Sequence, residues 1–155
     1  MFFTKRKPGG WASRLRSHSL SFVAIGILGL WIVLYRGADP SHRAGAFCGN
    51  AIADWSGVVV TILATKYMYE KGSAESRDPH PEEWLSPVRN LLRNHSLSIF
   101  LLITGVGWVV LYLHVNSEAK WGQVVGNIVS EWTQIFGLVL LTKKLIEKGS
   151  KEGRR

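Results

Sequence analysis

Two stretches of this chain, Leu20–Tyr35 and Leu97–Val115, are long, apolar and free of charged side chains apart from His114. A helix that is apolar on every side has no polar face to present to water. Each stretch is close to the roughly 20 residues needed to cross about 30 Å of hydrocarbon. Two further spans, Ala46–Thr65 and Val124–Thr142, are also mainly apolar. The sequence therefore predicts four transmembrane helices rather than buried helices of a soluble protein.

The chain also contains an internal repeat with an offset of 77 residues. The hexapeptide RSHSLS at 16–21 recurs as RNHSLS at 93–98, and residues 16–77 align with 93–154 without a gap, with 22 of 62 positions identical. The matches include charged residues, such as Glu70 with Glu147, which chance similarity between apolar helices does not preserve. Each repeat holds two spans, so the sequence predicts two tandem helical hairpins of the same orientation, related by an axis along the membrane normal.

Basic residues are distributed unevenly between the predicted loops. Of the 19 Lys and Arg residues, all except Arg36, Arg43 and Lys120 lie in the N-terminal arm, the middle connection and the tail. Because basic loops stay on the cytoplasmic side, both termini and the middle connection are expected to be cytoplasmic. The net charge of +8 is interpreted as a determinant of membrane topology and as a source of contact with anionic lipids, not as a sign of nucleic-acid binding.

The predicted fold class is all-α, an integral membrane four-helix bundle. Its expected parts are a cytoplasmic basic arm (1–15), a first transmembrane hairpin repeat (16–73), a cytoplasmic linker (74–92), a second hairpin repeat (93–150) and a basic tail (151–155). Apolar residues of the linker fall near helical spacing, namely Trp84, Leu85, Val88, Leu91 and Leu92. This spacing predicts a short helix on the membrane surface, with a solvated linker as the alternative.

Acidic residues occur inside two of the spans. Asp54 precedes Lys66 by twelve residues, and Glu131 precedes Lys143 by the same number. At about 1.5 Å per residue, both acids lie roughly 18 Å from the basic flank, near the middle of the membrane. An unpaired carboxylate there costs several kcal/mol, so each acid should be protonated, paired or in contact with water.

Further polar residues share the helix faces of the two acids and form an intramembrane polar stripe. Its members are Asn50, Asp54, Thr61 and Thr65 in the first repeat and Asn127, Glu131, Gln134 and Thr142 in the second. The stripe is consistent with hydrogen bonding between helices, with a path for protons or cations through Asp54 and Glu131, or with a ligand pocket in a larger assembly. If the stripe serves packing, the glycine pairs Gly45/Gly49 and Gly122/Gly126 would permit neighbouring helices to approach closely.

The repeated hexapeptide is interpreted as the start of a helix in each repeat. Ser17 or Asn94 would cap that helix, and His18 and His95 would lie at the polar boundary. The two histidines are also candidate interfacial ligands for a metal or pigment, but no further ligands accompany them, so we expect no metal site and no cofactor. The seven Trp residues are expected mainly at the membrane–water boundary.

The residues that follow the second helix of each repeat carry a family resemblance. Lys71-Gly72-Ser73-Ala74-Glu75-Ser76-Arg77, together with Ser130-Glu131-Trp132-Thr133-Gln134, resembles an uncharacterised family of small bacterial multi-pass membrane proteins. That family has a basic-Gly-Ser-x-Glu-Ser-basic sequence after a transmembrane helix. The resemblance implies a bacterial inner (plasma) membrane protein and supplies no activity.

These observations favour a non-enzymatic membrane protein. The sequence has no nucleophile elbow and no phosphate-binding loop, and its single cysteine, Cys48, cannot form an intramolecular disulfide. We expect an accessory, assembly or self-associating module that forms a homo-oligomer or joins a larger membrane complex. The alternative is a proton or cation channel or transporter that uses Asp54 and Glu131.

Overall fold

The computed structural model describes residues 18–75, 86–143 and 145, and these residues form helices and connecting turns without a β-strand. The helices are α1 (Ser19–Gly37), α2 (Arg43–Tyr67), α3 (Pro87–Asn94), α4 (Ser96–His114) and α5 (Lys120–Leu141). All except α3 are long and apolar enough to cross a membrane. The predictions of an all-α fold and of four candidate membrane spans are confirmed.

The short helix α3 lies within the predicted linker. It begins with Pro87 at its first turn, where the missing N–H of proline is tolerated. Its apolar residues Val88, Leu91 and Leu92 are exposed. The basic arm 1–15, residues 76–85 with Trp84 and Leu85, and the basic tail 151–155 lie outside the described residues.

The long helices pack around a central pair. Helices α2 and α5 pack against each other, α1 packs on α2, and α4 packs on α5. Asn50 contacts Asn127 near the middle of the pair, and Ser73 contacts Thr142 beyond its end, so α2 and α5 run parallel. Helices α1 and α4 carry many exposed apolar side chains, which suit contact with hydrocarbon.

The core lies where the four long helices meet. Its buried members are Tyr35, Ile52, Ala53, Ala64, Leu97, Leu101, Val124, Ile128, Trp132 and Val139. Trp132 departs from the expectation that Trp residues lie at the boundary, because it is buried in mid-helix against Trp108. Its indole N–H donates to Thr104 Oγ1 at 2.8 Å, and this internal acceptor permits the burial.

The two connections between paired helices are built alike. In one, Asp39 Oδ1 accepts a hydrogen bond from the Ser41 N–H at 2.9 Å. In the other, Asn116 Oδ1 accepts from the Glu118 N–H at 3.0 Å. Both are turns in which a side chain replaces a backbone acceptor. Asp39 and Asn116 occupy matching positions of the 77-residue offset.

Glycines near the starts of α2 and α5 allow the turn before each helix to approach it closely, and a second glycine on α2 does the same for an aromatic ring. A Cβ at Gly45 would lie 1.9 Å from the Asp39 carbonyl oxygen, and one at Gly122 would lie 2.0 Å from that of Asn116. One turn later, Gly49 faces the ring of Tyr35. The small residues therefore act within a hairpin, between its two helices.

Lys120 links the two helix pairs at the end of the bundle that contains Asp39. Its ammonium group donates to the carbonyl oxygens of Arg36 and Ala38, at the carboxyl end of α1. The Tyr35 hydroxyl donates to the Lys120 carbonyl oxygen at 2.6 Å. A cation is stabilised at the carboxyl end of a helix, where unpaired carbonyl groups collect.

Candidate functional site

Four residues of the polar stripe meet between α2 and α5, and we term them the central polar cluster. Asn127 Nδ2 donates to Asn50 Oδ1 at 2.6 Å. The carboxyl group of Glu131 on α5 faces that of Asp54 on α2. Both contacts join residues that match across the 77-residue offset.

A glycine on α2 makes room for the longer of the two acids. A Cβ at Gly57 would lie 3.2 Å from Glu131 Oε2 and 3.3 Å from Ile135 Cδ1. Real Cβ atoms rarely approach neighbours this closely, so a side chain at position 57 would displace Glu131 or Ile135. The position of the Glu131 side chain thus depends on a small residue one turn after Asp54.

The central polar cluster is open to one side of the bundle. Asn50 and Asp54 are exposed on α2, and Gln134 is exposed on α5. Asn127 and Glu131 are half-buried. Amide and carboxyl groups of membrane-length helices are therefore accessible from outside this chain, although lipid hydrocarbon offers them no hydrogen bonds.

The threonines of the stripe do not join the central polar cluster. Thr61 and Thr65 are half-buried and line a small, mostly apolar cavity with Leu97 and Leu101 of α4. The Thr65 hydroxyl donates to the Thr61 carbonyl oxygen in its own helix. Thr142 lies beyond the end of α5, buried, with its hydroxyl 3.0 Å from that of Ser73. The stripe divides because α4 joins α2 and α5 at this end of the bundle, where the threonines face a cavity that all three helices line.

A second polar cluster follows the end of α2 and is centred on a fully buried carboxylate, Glu70. Lys143 forms an ion pair with Glu70 Oε1. His95 Nδ1 lies 2.6 Å from the same oxygen, and the Ser98 N–H donates to Oε2 at 3.1 Å. We term these four residues the Glu70 cluster. It joins the chain after α2 to the start of α4 and the end of α5.

Backbone pairing holds the Glu70 cluster in place. The Lys71 N–H donates to the Asn94 carbonyl oxygen at 2.7 Å, and the Leu97 N–H donates to that of Tyr69 at 3.2 Å. Gly72 then reverses the chain with φ of +85°, a conformation that favours glycine. The chain segment after α2 is therefore fixed by main-chain as well as side-chain contacts.

The helix-capping prediction for Asn94 is wrong. His95 is the N-cap of α4 and makes no side-chain capping hydrogen bond, while Asn94 is the last residue of α3. The reason is that α3 runs directly into α4, and the Asn94 backbone is engaged by Lys71. Ser17 lies outside the described residues.

The two histidines of the hexapeptide occupy separate sites. His95 belongs to the Glu70 cluster, whereas His18 Nδ1 lies 2.8 Å from Lys66 Nζ at the end of α2. Within the described part of the chain, no group of three or more His, Cys, Asp or Glu side chains is arranged to hold a metal ion.

Two opposing effects act on the carboxyl group of Glu70. Burial raises its pKa, but hydrogen bonds from Lys143, His95 and Ser98 outweigh burial and hold the pKa below its usual range. The folded state therefore binds a proton at this site less readily than the unfolded chain does.

This shift predicts a loss of stability in acid. Since the folded pKa is depressed, the contribution of Glu70 is complete above the unfolded value of about 4.3 and is lost as the pH falls through the lower folded value. We expect the free energy of unfolding in a non-ionic detergent to fall from pH 6 towards pH 3, and to fall less in Glu70→Gln. An equal decline in both proteins would contradict this account.

No protein-family model, curated protein or solved structure matches this chain. The resemblance to a bacterial membrane family therefore stays a prediction, and function must be inferred from the geometry.

Sequence reasoning assigned no role to Glu70 and used Lys143 only as part of the basic flank, not as the partner of an acid. The signal for both was present, because each has an identical residue at the matching position, Glu147 and Lys66. A charged residue retained in both halves of a largely apolar repeat is a candidate for a polar contact. The sequence does not show which acid meets which lysine, since Glu70 and Lys143 belong to different repeats.

Proposed function

We propose that this chain is a non-enzymatic, self-associating module of a bacterial plasma membrane, built from two tandem hairpin repeats with both termini in the cytoplasm. The observation that carries the proposal is the exposure of Asn50, Asp54 and Gln134 on membrane-length helices. Hydrocarbon cannot satisfy these groups, so another polar protein surface should cover them.

A second copy of the chain suits this open face. A carboxamide both donates and accepts hydrogen bonds, and a protonated carboxyl group does the same, so the face is complementary to itself. Symmetric dimers use one patch on both subunits in this way. The basic segments on the cytoplasmic side would contact anionic lipid headgroups around such a dimer.

The alternative function is proton or cation conduction, and the contact between Asp54 and Glu131 is the observation that favours it. A path would have to continue from this pair along the helices. The cavity beyond the pair is lined mainly by apolar side chains such as Ile135, Leu138 and Val139. A continuous polar route through one chain is therefore less well supported than packing.

Self-association is tested with apolar substitutions on the open face. We expect Gln134→Leu to weaken dimerisation by about three- to twentyfold, because a hydrogen bond between membrane helices contributes about 0.6–1.7 kcal/mol. Ile103→Leu on the exposed face of α4 is the matched control and should leave the dimer unchanged. Mass measured in mild detergent over a dilution series gives the dissociation constant. A monomer at every concentration would refute the proposal.

Conduction is tested separately with Asp54→Asn combined with Glu131→Gln. These changes keep hydrogen-bonding groups but remove both acids, so a packing protein should remain assembled. Proton and cation flux is measured in liposomes that contain the wild type or the double variant. Flux in the wild type that the double variant lacks would establish the alternative.

A further inference from the structure

The Glu70 cluster shows how the start of a long helix in this protein holds an anion. At the start of α4, His95 Nδ1 lies 2.6 Å from Glu70 Oε1, and the Ser98 N–H donates to Glu70 Oε2 at 3.1 Å. Lys143 forms an ion pair with the same carboxylate from beyond the end of α5. A histidine, a lysine and a backbone N–H thus bind the two oxygens of one singly charged anion.

The start of α1 has the same backbone geometry as the start of α4. His18, the residue before α1, has φ of −122° and ψ of 16°, and His95 has φ of −126° and ψ of 18°. Ser21 follows His18 by three residues, as Ser98 follows His95. The Ser21 N–H belongs to the first turn of α1, where N–H groups have no acceptor within the helix. The start of α1 therefore presents the same backbone donor to an anion.

A lysine accompanies His18 as well. Lys66 comes from the end of α2, and its Nζ lies 2.8 Å from His18 Nδ1. An ammonium group has several N–H donors, so Lys66 can serve a further acceptor. Both side chains are exposed, and neither forms an ion pair with an acidic residue in the described part of the chain. The donor types that enclose Glu70 at one helix start are therefore open at the other.

The position of this open site relative to the membrane indicates its ligand. His18 directly precedes α1, a helix of membrane length, so it lies where lipid headgroups meet hydrocarbon. Next to it, Leu20, Phe22 and Val23 are exposed apolar side chains that suit contact with an acyl chain. The phosphodiester of a phospholipid carries a single negative charge and a pair of unesterified oxygens. In charge and in acceptor number it matches the carboxylate of Glu70.

We propose that His18 and Lys66 bind the phosphodiester group of an anionic phospholipid. The Lys66 ammonium group and the His18 ring donate to one unesterified oxygen, and the Ser21 N–H donates to the other. An acid of the protein thus completes the start of α4, and a lipid completes the start of α1. The lipid binds within a single chain, so the proposal is independent of self-association and holds for a monomer.

The site is tested by native mass spectrometry of the full chain in a non-ionic detergent, with increasing amounts of phosphatidylglycerol. Lys66→Gln removes the charge at the site, and Lys71→Gln removes the same charge from an exposed position at the same end of the bundle. We expect Lys66→Gln to weaken binding of the first phosphatidylglycerol about two- to fivefold, as for an exposed ion pair. His18→Leu should weaken it similarly, and Lys71→Gln should leave it unchanged.

Other results would overturn the proposal. Equal losses in Lys66→Gln and Lys71→Gln would show attraction to the positive charge of this end of the bundle rather than binding at a site. Equal affinity for phosphatidylcholine, whose choline cation opposes Lys66, would show that an anionic headgroup is not recognised. Inorganic phosphate provides the last comparison. If it raises the unfolding temperature of the wild type but not of Lys66→Gln, and phosphatidylglycerol binds both proteins equally, the site takes a free anion instead of a lipid.

Discussion

Replacing Glu70 with Gln should lower the free energy of unfolding by about 1–3 kcal/mol, because it removes the buried charged acceptor that Lys143, His95 and Ser98 share. Lys143 and the His95 ring would then face a neutral amide in place of a carboxylate, while both side chains stay partly exposed to solvent. Unfolding in mixed detergent micelles, followed by tryptophan fluorescence, measures the change. Glu118→Gln in the exposed connection before α5 is the matched control and should change stability by less than about 0.5 kcal/mol.

A double substitution separates the ion pair from simple packing at Glu70. If the penalty arises from the lost charge pairing between Glu70 and Lys143, the loss in the double variant Glu70→Gln with Lys143→Met should be smaller than the sum of the two single losses. Additive losses from the two substitutions would show that the charges are not coupled. A negligible effect of Glu70→Gln alone would show that the buried cluster does not stabilise the fold.

Alanine at Gly45 or at Gly122 should destabilise the protein by about 1–3 kcal/mol at each position, because a new methyl group would overlap backbone that cannot move alone. The obstructing atoms are the carbonyl oxygens of Asp39 and Asn116, which belong to the turns before α2 and α5. Moving either turn would also disturb the hydrogen bond that forms it.

Two other helical glycines provide controls of opposite sign. A Cβ at Gly26 or at Gly107 would meet no atom within 4 Å. Alanine favours the helix over glycine by up to about 1 kcal/mol, so these substitutions should be neutral or stabilising. The four variants are compared by thermal unfolding in one detergent. Equal behaviour at all four positions would show that the close approach of turn and helix contributes nothing to stability.

The positions of the long helices could be predicted from the sequence because hydrophobic length is a local property. The predicted span Leu97–Val115 and the observed helix Ser96–His114 differ by one residue at each end. The start of α5 was placed four residues late, since Lys120 and Gln123 interrupt the apolar pattern at its first turn.

The central contacts were only partly accessible from the sequence. The sequence predicted a polar stripe consistent with hydrogen bonding between helices, but it did not show that Asn50 meets Asn127 or that Asp54 faces Glu131. Thr61 and Thr65 share the predicted stripe but line a cavity with residues of α4 and α5, and helix periodicity does not reveal which neighbouring helices a stripe meets. The same limit applies to Trp132, whose burial depends on Thr104 in another helix.

The sequence by itself determined that the chain is helical, that four of its helices have membrane length, and that two acids lie within them. Those properties follow from side-chain polarity along a continuous segment. Only the tertiary structure decided that Glu70 is buried against His95 and Lys143 and that Asn50 and Asp54 remain open. Both outcomes depend on how separate helices are placed beside one another, and that placement is set by packing between residues far apart in the chain.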